Sequence, residues 1–412
     1  MELDLPINVL NILNILNKAG YDAYVVGGAV RSLLLGEKPK DYDICTNALP
    51  DSVENLFEST IPTGKKYGTI TVVMPSADKN EDEFYEITTF RYDSPITDGR
   101  RPEYVIFGQT LKDDIDRRDF TINSIAYNPL TGIIDYKNGL EDIKNKVIRC
   151  VGTPIARFRE DGLRVLRAIR FAVRYKFLID TDTLNAMVRL TIKNQSINVL
   201  DNISKERIHD EIVKILSYDF SFLPDEDFIK IKSILEDILK IDDSTLFTKE
   251  DLNSYLYIRK LISLYKDCNI YILESKLKDL KFSNDEIKII LNSVKAYQYL
   301  KLSDLSNDDL QFRIKMCAYR WEPMPTIYAK NMLDLNKEQQ EIIIKSFAEP
   351  YNLKELDIDG NDIKANFDID EKMIKTYLEM ALFYIFKNPK ENKKDILLNY
   401  LRGLDEIYKK DR

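Results

Sequence analysis

The chain has 412 residues, is 44% hydrophobic and 31% charged, and carries a formal net charge of −8. That length exceeds one hydrophobic core, so roughly two to four domains are expected, and no run of roughly eighteen apolar residues exists to cross a membrane. Cys45, Cys150, Cys268 and Cys317 lie far apart with no CxxC, and His209 is the single histidine. Structural zinc and a disulfide framework are therefore not expected, paired-histidine chemistry is excluded, and a reducing cytoplasm fits. The acidic, helix-periodic start is unlike a signal peptide. The acidic total does not suggest a nucleic-acid partner, although totals mislead when charge is segregated.

Residues 6 to 19 set Ile7, Leu10, Leu13 and Leu16 at helical spacing and predict an amphipathic helix. Tyr24 to Val26 reads as a strand, and Gly27 and Gly28 as a turn into a short helix bearing Arg31. A polar loop then leads to a second strand carrying Asp41 and Asp43. Side chains alternate along a strand, so these two carboxylates project from one side, with Tyr42 on the other. Close carboxylates repel each other and attract a divalent cation between or beside them. Free N–H groups at the helix start attract phosphate, to which Arg31 can add a charge-assisted hydrogen bond. A phosphate cradle beside a metal-holding carboxylate pair is what nucleotidyl or phosphoryl transfer requires. Taken singly, the glycines also read as a plain tight turn and Asp-x-Asp as a solvated strand edge.

Asn47 to Asp51 reads as a turn and Ser52 to Ser59 as a short helix. GKKYGTITVVMP is a glycine turn and a strand, followed by a loop tip near residues 78–83 and a partner strand, FYEITTFR. Glu86 in that strand can face the aspartate pair as a third carboxylate, or serve an ordinary salt bridge or exposed face. RYDSPITDGRRPEYVIFG lacks periodicity and reads as a mobile loop with the composition of a lid. From Leu111 the pattern turns helical up to Pro129, with Arg118, Asp119 and Asn123 beside an apolar face. Arg118 near a triphosphate, and Asp119 or Asn123 near ribose hydroxyls, are chemically reasonable; an ordinary charged helix start is the plain alternative. NPLTGIIDY reads as a short strand pair, and NGLEDIKNKVIRCVG as a turn into another strand.

A helical remainder begins near Pro154. Residues 149 to 176 hold eight Arg or Lys against two acids, Glu160 and Asp161, a basic segment in an acidic chain. Asp161, Arg164, Arg167 and Arg170 follow at intervals of three, while Leu163, Leu166, Ile169 and Val173 form an apolar face. An Asp accepts from exocyclic amino groups and an Arg donates to ring and carbonyl acceptors, so Asp161 and Arg164 can read a base edge. The plain alternative is an i,i+3 salt bridge on a solvated helix, but a stripe of like charges costs repulsion unless a polyanion lies along it. Beyond residue 220 helix follows helix without a chemical motif, with polar breaks near 223–226, 242–245 and 306–309 and a WEPMP turn at Trp321. Lys387, Lys390, Lys393, Lys394, Lys409 and Lys410 near the end form a solvated face or a phosphate-contacting tail.

VVGGAVRSLLLG with DYDICT, then RRDFTINSIAY, EDGLRVLRAIRFA and SKERIHDEIVKIL, resemble the ordered motifs of class II tRNA nucleotidyltransferases, the CCA-adding enzymes, which bacterial poly(A) polymerases share. The likeness spans about residues 20 to 216. It implies an α+β chain: a small mixed-sheet, polymerase-β-like nucleotidyltransferase head (1–152), then an all-α neck (153–220), body (221–320) and tail (321–412). By that resemblance Asp41 and Asp43 hold Mg²⁺ and are catalytic, Gly28 and Arg31 bind the triphosphate, and Arg118 and Asp119 hold the nucleotide's phosphate and sugar. Asp161 and Arg164 match an amino-acid template for C or A, and Arg167 and Arg170 match nucleotide-contacting arginines. SKERIHDEI matches a motif bracing the neck, while Asp135, Gly139 and Asp142 match a hinge motif only loosely, with Asn138-Gly139 in place of paired glycines. The loop at 91–108 resembles the flexible loop of full CCA-adding and A-adding members, which CC-adding members lack.

The expected partners are the tRNA 3′ end, with CTP and ATP as substrates, no membrane, and a monomer or homodimer. An A-adding enzyme or poly(A) polymerase is the alternative within the same chemistry. A non-catalytic RNA-binding module is an alternative of another class, opposed by the intact aspartate pair. A nucleotidyltransferase for small molecules is opposed by the basic helix and the long helical remainder.

Overall fold

The structure is a computed structural model that describes residues 2–76, 81–93, 105–191, 198–241, 248–249, 252, 256–301, 307–333 and 335–410. Residues 94–104 of the loop expected over 91–108, part of the loop tip near 78–83 and the polar break at 242–245 lie outside the described residues; the described ends of that loop, 91–93 and 105–107, pair as antiparallel strands. The chain divides into two compact units, Met1–Lys240 and Ile241–Arg412.

The first unit opens with α1 (Ile7–Lys18), β1 (Ala23–Val26), α2 (Gly28–Leu34), β2 (Asp43–Thr46), α3 (Pro50–Leu56), β3 (Thr60–Gly64), β4 (Thr69–Pro75) and β5 (Asp82–Thr89). After β6 (Arg91–Asp93), β7 (Val105–Phe107) and α4 (Leu111–Asp116) come β8 (Ile125–Asn128), β9 (Gly132–Asp135), α5 (Gly139–Asn145) and β10 (Val147–Ile148). Seven strands form one mixed sheet in the order β3-β4-β5-β2-β1-β8-β9, and β2–β5 is its single parallel pairing. One face of the sheet is covered by the buried stripe Val9, Ile12, Leu13 and Leu16 of α1; the other packs Val26, Cys45 and Ala126 against Leu111 and Ile115 of α4. Ile7, expected on the buried face of α1, is instead 61% exposed.

Helices dominate from Pro154: α6 (Pro154–Glu160), α7 (Leu163–Tyr175), then a short β11 (Leu178–Ile179), α8 (Thr181–Thr191), α9 (Lys205–Leu216) and α10 (Asp225–Leu239). The second unit is helical among the described residues, from Tyr257–Tyr265 to Lys394–Lys410, with no helix long and apolar enough to cross a membrane.

Three local readings differ. The helix expected over 111–129 stops at Asp116; a 3-10 turn, Thr121–Asn123, precedes β8, which pairs with β1 on one side and β9 on the other. Burial of every β8 residue between two strands outweighs its helix-compatible spacing. Residues 60–64, where no element was expected, form an edge strand, β3, ahead of the expected glycine turn, which lies at Lys65–Gly68 and opens β4. Asp161 is no part of a continuous helix: it adopts an extended conformation (φ −148°) between α6 and α7, where a Cβ on Gly162 would lie 2.1 Å from the Val199 carbonyl oxygen.

Candidate active site

The site grows from the β1–α2–β2 segment. At Gly27 φ is +69° and a Cβ would lie 3.0 Å from Arg118 Nη1, so the turn out of β1 requires glycine there. At Gly28 a Cβ would lie 3.7 Å from Arg31 Nη2, an ordinary contact. The backbone therefore demands Gly27 more strongly than Gly28, the position singled out from sequence.

Pairing of β1 with β2 ends at Val26↔Asp43, because β1 turns away at Gly27. Asp43 thus opens β2, whereas Asp41 sits in the preceding loop instead of in the strand. Both remain exposed, yet burial by surrounding atoms raises the Asp43 pKa; Arg118 opposes that rise and Asp41 adds to it. Glu86 comes from β5, whose parallel pairing with β2 matches Ile87 to Ile44. Its pKa is raised by burial and then by Asp43 and Asp41, so it feels both aspartates. Glu86 is also exposed, so both the third-carboxylate reading and the exposed-face reading fit its position.

These hard carboxylate oxygens suit a divalent cation of the Mg²⁺ type. Among the described residues no group of three His, Cys, Asp or Glu is arranged to enclose one. The donor set therefore fits a cation that keeps water and takes further oxygens from a phosphate, the usual habit of Mg²⁺, rather than an all-protein cage.

Opposite in sign is an arginine network. Asp114, fully buried on α4, receives Arg117 Nη2 at 2.6 Å and Arg118 Nη2 at 2.7 Å. Arg118 Nη1 also donates to the Asn123 carbonyl at 3.4 Å. Arg31, only 5% exposed, donates to the Asn123 side chain and forms no ion pair among the described residues; burial is the main reason its pKa is lowered. Asp119 accepts from Phe120 N (2.8 Å), Asn123 Nδ2 (3.0 Å), Arg167 Nε (2.9 Å) and Arg167 Nη2 (2.6 Å). Burial would raise its pKa, but Arg167, Asn123 and Arg164 outweigh that and hold it at about 2. Those bonds fill the roughly four acceptor sites of a carboxylate, so Asp119 chiefly orients Arg167 and Asn123.

Asp161 and Arg164 do not form the i,i+3 salt bridge that was the plain alternative to a base-reading pair: their side chains do not bond to each other. Asp161 accepts from Leu163 N (3.0 Å) and Arg207 Nη2 (3.0 Å), while Arg164 donates to Glu160 (2.9 Å) and to the Arg157 (3.2 Å) and Arg117 (2.9 Å) carbonyls. Each keeps capacity in reserve: about two acceptor positions on Asp161 and about two N–H donors on Arg164. Arg170 pairs with buried Glu211 at 2.8 Å. Gly139 of the loose hinge motif is packed hard, since a Cβ there would lie 2.2 Å from the Thr121 carbonyl oxygen.

Sequence reasoning missed Asp114, Arg207 and Glu211 as partners of these arginines and acids. Asp114 was legible from its i,i+3 and i,i+4 spacing to Arg117 and Arg118; the other two pairings span separate helices and left no local signal.

A mixed sheet presenting carboxylates beside a buried, arginine-rich helix defines a nucleotidyltransferase. Residues 23–149 match the family described as the poly(A) polymerase head domain. A CCA-adding enzyme of Lactococcus lactis subsp. lactis is 33% identical over 399 residues, covering 90% of this chain and 94% of its own. That of Ligilactobacillus salivarius is 38% identical over 389 residues, covering 90% and 84%. The crystal structure of the Bacillus stearothermophilus CCA-adding enzyme in complex with CTP superposes with a TM-score of 0.67 at 27% identity, covering 98% of each chain. The chain belongs to the CCA-adding enzyme family, the class II tRNA nucleotidyltransferases.

Proposed function

We propose that this chain adds C, C and A, from CTP and ATP, to the 3′ end of tRNA and releases pyrophosphate, as a bacterial cytoplasmic enzyme. The observation that carries the reading is a juxtaposition of opposite charges. Asp41, Asp43 and Glu86 act on one another's charge, and Arg118, which acts on Asp43, shares Asn123 with buried Arg31. The arrangement suits a metal–triphosphate substrate, with the carboxylates taking the metal and the arginines the phosphates.

In this reading Asp41 and Asp43 hold Mg²⁺, with Glu86 adding negative field from β5. When bound, the metal lowers the pKa of the attacking 3′-hydroxyl and neutralises charge on the transferred nucleotide. Arg31 and the Gly28 backbone receive the triphosphate, and Arg118 and Asn123 steady the phosphate and sugar. Asp119 fixes Arg167, so that Arg167 and Arg170 keep their planes beside the nucleotide. Asp161 accepts from the exocyclic amino group shared by C and A, and Arg164 donates to ring or carbonyl acceptors. G and U lack that pattern of donor and acceptor. The spare capacity of these two side chains supports the assignment. The division into head (1–152), neck (153–220), body (221–320) and tail (321–412) belongs to the same proposal, with tRNA held by the tail.

The test uses a tRNA lacking its 3′ end, Mg²⁺ and each nucleotide alone, then CTP with ATP, with products resolved to single nucleotides. Two additions from CTP and a third only with ATP are expected. Long tails from ATP would instead establish poly(A) synthesis, and a single A only on a CC-ended tRNA would establish an A-adding specialist. No product would favour the binding-module reading.

A further inference from the structure

Three guanidinium groups converge on one ring. Phe171 of α7, 3% exposed, has its ring 5.0 Å from Arg31 Cζ, 5.3 Å from Arg167 Cζ and 4.5 Å from Arg170 Cζ. The Tyr175 ring, stacked at 6.2 Å from that of Phe171, lies 4.9 Å from Arg31 Cζ. Clustered cations repel unless each has a counter-charge. Arg167 has Asp119 and Arg170 has Glu211, whereas among the described residues Arg31 is in an ion pair with no carboxylate. Its Nε and the Tyr175 hydroxyl are both buried, and among the described residues they are left to each other: Tyr175 favours the Arg31 charge as a hydrogen-bonding neighbour, with Asp119 adding a longer-range field. Beyond Asn123 and the Tyr175 hydroxyl, what holds the plane of Arg31 is the negative face of two aromatic rings.

We infer that Phe171 and Tyr175 are positioning residues for nucleotide binding. They seat Arg31 with its unspent charge directed at the substrate, and Phe171 ties it to the same ring that orders Arg167 and Arg170. Through this ring the phosphate-binding arginine on α2 and the base-selecting helix α7 keep one register. The inference rests on the reading of Arg31 as a triphosphate ligand given above.

The experiment measures KM and kcat for CTP on a tRNA lacking its 3′ end, and for ATP on a CC-ended tRNA. The variants are Phe171→Leu, Phe171→Tyr and Tyr175→Leu, each also followed by thermal melting. Loss of a largely desolvated cation–π contact predicts a KM about tenfold higher in Phe171→Leu, equal for CTP and ATP because the phosphates are common to both. In that variant kcat changes by less than about threefold, since ground-state and transition-state binding weaken together. Phe171→Tyr, which keeps the ring, restores KM to within about threefold of wild type. Tyr175→Leu, at a half-buried position where folding is safer, repeats the KM rise for both nucleotides. Wild-type KM values in folded Phe171→Leu and Tyr175→Leu overturn the inference, as does a loss confined to kcat or to melting temperature. A wild type that adds no nucleotide overturns the functional reading with it. An active wild type with unaffected variants overturns only the positioning role.

Discussion

Replacing Asp119 with Asn tests the centre of the arginine network. Asp119 is 9% exposed and is gripped through two contacts by Arg167, whose side chain is 33% exposed. Its pKa of about 2, against 3.8 for a free side chain, corresponds to about 2–3 kcal/mol of folding stability. The folded-state pKa is depressed, so this stabilisation is complete above the unfolded value and is lost as pH falls toward the folded one. It should be whole above about pH 5 and about half gone near pH 3. Asp119→Asn also leaves Arg167 without its carboxylate, a loss moderated by the partial exposure of that arginine. Urea unfolding followed by far-UV circular dichroism is the assay, with Trp321 fluorescence as an internal reference because Trp321 belongs to the second unit. For a first unit of this size the variant's midpoint should fall by about 1 M at pH 7, with the gap to wild type narrowing below pH 4. A shift under about 0.3 M, or a gap that does not change with pH, would refute the coupling between Asp119 and Arg167.

Asp41→Ala should abolish incorporation of every nucleotide while tRNA binding, read by filter retention, survives; turnover near wild type would sink the metal assignment. Arg164→Ala should blur the choice of C and A over G and U in single-nucleotide incorporation, and unchanged selectivity would remove its templating role. Gly139→Ala forces a methyl against the Thr121 carbonyl at 2.2 Å and should destabilise the first unit by about 3 kcal/mol or more, seen as a lowered melting temperature. An unchanged melt would mean that the β8–α5 junction yields easily.

What could be read along the chain is what depends on neighbours in sequence. The strand, glycine turn and helix around Gly27 are local, because one backbone conformation with positive φ decides them. The carboxylate pair, the basic run on α7 and the missing histidine partners are matters of composition and spacing, and they pointed to nucleotidyl or phosphoryl transfer. The family likeness followed from motif order. Other features depended on contacts between distant segments. Residues 125–128 have helix-compatible spacing and become a strand only because β1 and β9 flank them. Asp161 could bond Arg164 on a regular helix, yet the chain bends at Gly162 and Arg207 of α9 reaches Asp161 instead. Glu86 faces the aspartates because parallel pairing sets β5 beside β2. A charged side chain takes whichever partner desolvation leaves within reach, and across 48 residues, as between Asp119 and Arg167, only the packed fold determines which that is.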